Sequence, residues 1–151
     1  MKLRSLKREQ FIDKTLKQVF AFFESPENLA KITPPSLGFK TLTPSPIVMK
    51  EGALIDYTVR TLGFTIRWTT LVTCFDPPNK FVDQQLKGPY SFWHHTHTFA
   101  EKSGGTVVND EVIYAMPFGI IGDIIHALFV RRQLRNIFDY RAKVIEQYFS
   151  I

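Results

Sequence analysis

The sequence predicts an α+β fold in which a curved antiparallel sheet closes over a long carboxy-terminal helix. Three observations carry that expectation. Between residues 122 and 149, Ile124, Ile125, Leu128, Leu134, Ile137, Phe138, Ile145, Tyr148 and Phe149 recur at three-and-four spacing, with Asp123, Gln133, Asn136, Asp139, Lys143 and Glu146 largely between them. That is the pattern of one amphipathic helix. At ~1.5 Å per residue it runs roughly 42 Å, so its apolar stripe needs an equally extended cover. Only the middle of the chain supplies one, because five strand patterns separated by short turns follow one another between residues 53 and 116. Finally, 151 residues at 44% hydrophobic and 22% charged suffice for one core and not for two, so residues 1–151 are read as a single domain. Two layers of this kind leave room between them for a small molecule.

The elements follow in order. Residues 2–13 alternate, with Leu6, Arg8, Gln10 and Ile12 on one side and Lys7, Glu9, Phe11 and Asp13 on the other, as a strand with two unequal faces does. Asp13 or Thr15 is placed to cap a helix over residues 16–23, where Leu16, Val19, Phe20 and Phe23 share a face. Pro26 opens a second short helix that buries Leu29 and Ile32 and stops at Thr33-Pro34-Pro35. Residues 37–42 read as an edge strand, followed by turn chemistry at Thr43-Pro44-Ser45-Pro46. Strands over 53–61, 64–75, 80–87, 90–102 and 106–116 then form an antiparallel meander, each ended by Gly, Pro or Asn-rich turns.

Composition narrows the function. The formal charge is +5, but the basic residues are spread over the first strand, the first helix and the last helix, with no RNP, helix-turn-helix or zinc-finger signature, so nucleic acid is not an expected partner. Residues 1–10 carry alternating charges and no apolar core of a signal peptide, and the most apolar window, 116–130, is interrupted by Asp123 and His126 and falls short of the ~20 residues a membrane span requires. The lone Cys74 cannot form an internal disulfide, which fits a reducing cytoplasm, the expected location. Fourteen Phe, five Tyr and two Trp are more rings than a minimal core needs, and rings on a concave sheet commonly line an apolar pocket.

Alternation groups the candidate site. In residues 90–102 one face carries Trp93, His95, His97 and Phe99, while Phe92, His94, Thr96 and Thr98 point the other way. The neighbouring strands contribute Phe81, Asp83 and Gln85, and Asp110, Val112 and Tyr114. If register brings these onto the concave face, Asp83, Gln85, His95, His97 and Asp110 form a polar cluster in an aromatic wall, where each unsatisfied group costs ~1–3 kcal/mol. An internal network or a bound polar ligand would satisfy them. Trp68 from the preceding strand and Leu134 and Phe138 from the last helix complete the candidate binding set. His95 and His97 with Asp83 or Asp110 also offer acid–base chemistry, because an imidazole with pKa near roughly 6.5 is poised for proton transfer. The same residues could ligate a metal, but no cysteine and no tighter His/Asp spacing accompanies them, so no metal is expected. Nucleophilic catalysis is not expected, because Cys74 lies in an apolar strand and no Gly-x-Ser-x-Gly elbow is present, and no cofactor is expected either, since no Gly-rich phosphate loop is present.

Several stretches resemble the bacterial ligand-binding, polyketide cyclase-like proteins of the SRPBCC (START and Bet v 1-like) superfamily. They are Pro26-Glu27-Asn28-Leu29, Ile32-Thr33-Pro34-Pro35, Phe81-x-Asp83-x-Gln85, Gly88-Pro89-Tyr90-x-x-Trp93-x-His95-x-His97-x-Phe99, Asp110-x-Val112-x-Tyr114 and Ile137-Phe138-x-Tyr140-Arg141. The resemblance covers nearly the whole chain and implies the helix-grip fold, a seven-stranded sheet around the last helix with a hydrophobic cavity between. It departs at residues 44–52, which hold a single glycine where plant members have a Gly-rich loop. The leading functional expectation is a binding protein for a small apolar or aromatic molecule. The alternatives are a cyclase, aromatase or hydrolase on the same scaffold, with His95 or His97 as acid–base and Asp83 or Asp110 orienting it, and a protein-interaction module using the cavity rim or the basic helix face near Arg131. Nothing in the sequence specifies an oligomeric state.

Overall fold

Antiparallel pairing runs unbroken across seven strands in the spatial order β1-β7-β6-β5-β4-β3-β2 in the computed structural model, which describes residues 1–150. The strands are β1 (Arg4–Ile12), β2 (Lys40–Thr41), β3 (Leu54–Thr61), β4 (Phe64–Asp76), β5 (Lys80–Lys87), β6 (Phe92–Lys102) and β7 (Gly105–Ala115). Alternating burial along β6 and β1 confirms two unequal faces, as the side-chain period of two requires. Register shifts between Thr69 and Thr70 and between Val72 and Cys74 bend β4 against β5. Such bulges raise local twist, and they wrap the sheet around what lies on its concave side.

That concave side is filled by residues 119–149, helical throughout but in three pieces: α2 (Gly119–Ile125), a π-helical turn (His126–Val130) and α3 (Arg131–Phe149). Their buried residues are Gly122, His126, Val130, Leu134, Phe138, Arg141 and Ile145. The inward spacing is four residues up to Phe138, wider than the 3.6 of a regular helix, because the π turn inserts extra chain. This corrects the stripe read from the sequence. Ile124 and Leu128 are 54% and 79% exposed, since the π turn rotates them outward while Val130 and His126 turn in. Gly122 is required by close approach. A Cβ there would stand 1.8 Å from the Pro117 carbonyl oxygen.

Polar side chains on the inner face of β1 tie the helix down: Arg4 and Arg8 donate to Asp123 and Asp139, and Gln10 Nε2 donates to the Ala142 carbonyl at 2.8 Å. At the other side, α1 (Leu16–Phe23) is capped by Thr15, whose hydroxyl accepts from Gln18 N–H while Gln18 accepts from Thr15 N–H. This reciprocal box favours Thr15 over Asp13 as the cap. The second short helix is a 3-10 segment, Pro26–Ile32. The expected edge strand at 37–42 shrinks to two residues, because Pro35–Leu37 forms a further 3-10 turn closed by Gly38 in the left-handed region. One core cluster joins Phe20, Phe22 and Phe23 of α1 to Phe81, Phe99 and Ile145, and a second joins Trp68, Trp93, Val112 and Tyr114 to Leu134 and Phe138.

Candidate functional site

Between the two clusters the layers do not meet. A cavity of about 210 Å³ remains there. Its walls are Ile55, Tyr57, Val59, Trp68, Thr70 and Val72 from β3 and β4, Phe81 and Asp83 from β5, Trp93, His95 and His97 from β6, and Gln133, Leu134, Ile137, Phe138 and Arg141 from α3; Leu29, Ile32 and Leu37 close one side. The void is larger than the ~150 Å³ apolar cavity that takes up benzene, so a one- or two-ring molecule is the matching size.

Most of the sequence-derived set gathers here: Trp68, Phe81, Asp83, Trp93, His95, His97, Leu134 and Phe138 all line the void. Five others stand elsewhere. Phe99 lies one pleat further along β6, edge-on to Phe20 at 5.1 Å, and is part of the α1 core. Gln85 turns back on its own hairpin, donating to the Tyr90 carbonyl at 2.8 Å and accepting from Tyr90 N–H at 3.2 Å, which braces the loop carrying Pro89 and Tyr90 into the wall. Val112 has no exposure and packs beneath the helix, and the Tyr114 hydroxyl pairs with His126 Nε2 at 2.7 Å under the π turn. Asp110 sits behind the histidines. These last three share one reason: β7 lies under the π turn and α3, so its inward side chains meet the helix instead of the void.

The polar wall is a connected set. His97 opposes Phe81 and Asp110 in register, and His95 opposes Asp83 and Val112, so the carboxylates reach the imidazoles both directly and diagonally across strands. His97 Nε2 pairs with Asp83 Oδ2 at 2.6 Å, and His95 Nε2 with Asp110 Oδ1 at 2.7 Å. His97 Nδ1 lies 3.1 Å from the same Asp110 oxygen, too poorly aligned for a hydrogen bond, so that contact acts through charge. Arg141 donates to Asp110 at 3.4 Å with its guanidinium over the rings of Phe23 and Phe138, at 5.5 and 5.8 Å. The rings of Phe81, His97 and His95 stack at 4.0 and 3.7 Å.

Charge settles on specific partners. Burial opposes ionisation of Asp110, yet Arg141 and the two imidazoles outweigh it and hold its carboxyl well below the usual range. Asp83 is likewise penalised by burial and likewise lowered, chiefly by the His97 bond. Burial would depress His97, but the two carboxylates flanking it raise it. His95 goes the other way, depressed by burial and by the charge on His97. The consistent state pairs Arg141 with Asp110 and cationic His97 with Asp83, leaving His95 neutral, its Nε2–H donated to Asp110 and its Nδ1 a free acceptor. Ligand atoms of Asp83, His95 and His97 lie within 4.8 Å of one another, with both Nε2 atoms engaged by carboxylates.

Some wall residues escaped the sequence reading. Tyr57 pairs with Trp68 in register, and their rings stack at 5.8 Å; alternation of Ile55, Tyr57 and Val59 carried that signal. Burial pushes the Tyr57 and Tyr90 hydroxyls up, so both are neutral donors. Arg141 falls three residues after Phe138 and four before Ile145, on the buried stripe, where a charged residue announces a buried partner.

The family model described as polyketide cyclase / dehydrase and lipid transport matches residues 12–139. Among solved structures, that of TTHA0849 from Thermus thermophilus is similar over 95% of this chain and 95% of its own, with a TM-score of 0.75 and 16% identity. Ara h 8.0201 matches over 98% of each chain at TM-score 0.67 and 12% identity. The di-domain ARO/CYC StfQ from the steffimycin biosynthetic pathway matches 98% of this chain but 51% of its own, at TM-score 0.73 and 13% identity, so this chain spans about half of that protein. At such identities the likeness establishes the fold. No curated protein matches the sequence. With the family model covering most of its length and the curved sheet gripping the terminal helix, the chain belongs to the polyketide cyclase / dehydrase and lipid transport family of the SRPBCC superfamily and has the Bet v 1-like helix-grip fold.

Proposed function

We propose that this protein binds a small hydrophobic or aromatic molecule bearing at least one hydroxyl or carbonyl oxygen, in the cavity between the sheet and α3. The observation that carries this reading is the placement of Asp83, His95 and His97 in a predominantly apolar and aromatic wall. Apolar surface supplies affinity without direction, and a few convergent polar groups set orientation. His95 Nδ1 accepts from a ligand hydroxyl, and the Asp83 oxygen not engaged by His97 offers a second acceptor. Trp68 lines the same wall with its ring, and its Nε1 is buried without a hydrogen-bond partner. The family description and the aromatase/cyclase neighbour are compatible with an aromatic, oxygenated ligand.

Native mass spectrometry of protein purified without detergent or organic solvent tests this directly. The expected result is a stoichiometric adduct that is released on denaturation and carries an aromatic or polyene chromophore. Bare chain mass in every charge state, together with no uptake of hydroxylated bicyclic aromatics, would contradict it.

One observation favours a second reading, catalysis. Environments that push two neighbouring titratable groups apart assign acid and base roles, and here the flanking carboxylates raise His97 while burial lowers His95. On a polyketide-like substrate, His95 would take a proton and the His97–Asp83 pair would stabilise the developing oxyanion. Turnover with an imidazole-like limb in its pH profile, abolished in His95→Gln, would separate enzyme from carrier.

A further inference from the structure

We propose that one end of this molecule docks on an anionic lipid surface. The tips of the β3–β4 and β5–β6 hairpins, the amino terminus of β1 and the start of α2 all lie at the same end of the sheet, as the antiparallel register requires. There Phe118, Ile120, Ile121 and Leu128 are 78%, 79%, 64% and 79% exposed. On the β3–β4 tip Leu62 and Phe64 are 58% and 70% exposed. An exposed apolar patch built from separate tips is a contact surface and not a leftover of core packing. Phe118 makes the point locally, because it adopts a left-handed φ of 68° while presenting its ring to solvent, so neither burial nor backbone preference accounts for a phenylalanine there.

Charge selects the occupant. In residues 1–4, 60–67, 86–91 and 116–138, which make up this end, eight Lys or Arg side chains stand against one carboxylate, Asp123, and a second, Asp56 of β3, reaches Arg67 at 2.9 Å from just outside it. Asp123 is itself engaged by Arg4. Bulky apolar tips ringed by cations match an interface of acyl chains beneath anionic headgroups, whereas a second copy of the same surface would set like charges against each other. Adsorption is peripheral, because no helix among the described residues is long and apolar enough to cross a membrane. Leu128, Phe129 and Arg132 line a shallow groove that shares Leu37, Gln133 and Ile137 with the cavity wall, and Gln133 Nε2 donates to Thr61 Oγ1 at 2.9 Å to tie the hairpin to α3. Docking therefore seats the surface beside the cavity, where an apolar ligand could pass between bilayer and protein without crossing water.

The test is co-sedimentation of the full chain with vesicles of phosphatidylcholine alone and of phosphatidylcholine containing phosphatidylglycerol. Partitioning should be at least about tenfold greater onto the anionic vesicles, and should fall as salt is raised. The double variant Ile121→Glu, Leu128→Glu should lose about tenfold or more of it, as should Arg131→Glu with Arg132→Glu, each keeping the parent melting temperature because these side chains are exposed. Equal partitioning onto both vesicles, binding that survives the double variants, or a concentration-dependent dimer that the variants dissociate would overturn the proposal.

Discussion

Asp110 is the carboxylate on which the polar wall depends, for it alone touches His95, His97 and Arg141. Removing its charge leaves a buried guanidinium uncompensated, so Asp110→Asn should cost about 3 kcal/mol in urea denaturation. A loss under about 1 kcal/mol would show that Arg141 finds another counter-charge. The histidines should separate by pH. Protonated His97, with its pKa raised, stabilises the fold below about pH 6.5 and loses that contribution as pH rises through the raised value; neutral His95 contributes above about pH 6.5 and is lost as pH falls toward its depressed one. Long-range nitrogen-15 NMR should therefore show one imidazole titrating above and one below the ordinary value, and coincident titrations would refute the assignment. At this scale the sequence was legible where period-two alternation operates: Trp93, His95 and His97 share a face because β6 pairs with both neighbours without a register shift. It misled for Phe99, Val112 and Tyr114, because sharing a face says nothing about whether helix or void lies opposite, and that depends on where α3 meets the sheet.

The terminal helix was legible in position and length but not in its twist. The π turn at His126–Val130 leaves no signature that a period of 3.6 would reveal, and it decides that Leu128 faces out and Val130 in. Past the turn the period holds. Phe138, 5% exposed and edge-on to His95 at 5.8 Å, should cost about 3–5 kcal/mol when changed to Ala, measured by chemical denaturation. Ahead of the turn, Gly122→Ala should cost about 2 kcal/mol, because the Pro117 carbonyl is backbone and the loop must move to admit a methyl group. A thermal shift of zero there would mean that residues 117–119 give way freely. The strands of the meander were legible from their turn residues, whereas residues 35–41 were not, since a 3-10 turn and a two-residue strand are both too short to show a period.

The whole molecule is a cavity with two kinds of wall, and the sequence announced it through an excess of rings beyond what a core of this size consumes. Net charge was legible as a number and not as a place: +5 spread along the chain becomes a basic end only once the register brings four separate segments together. An aromatic ligand held between sheet and helix would have a built-in reporter, because both tryptophans of the chain, Trp68 and Trp93, line the cavity. The decisive measurement is energy transfer from these indoles to a naphthalene sulfonate probe, compared between the parent and Val59→Phe, which fills the void from β3. Saturable one-to-one transfer is expected in the parent, with at least about tenfold weaker binding in the filled variant at unchanged melting temperature. Equal binding by both proteins, or no saturable transfer in the parent, would contradict it.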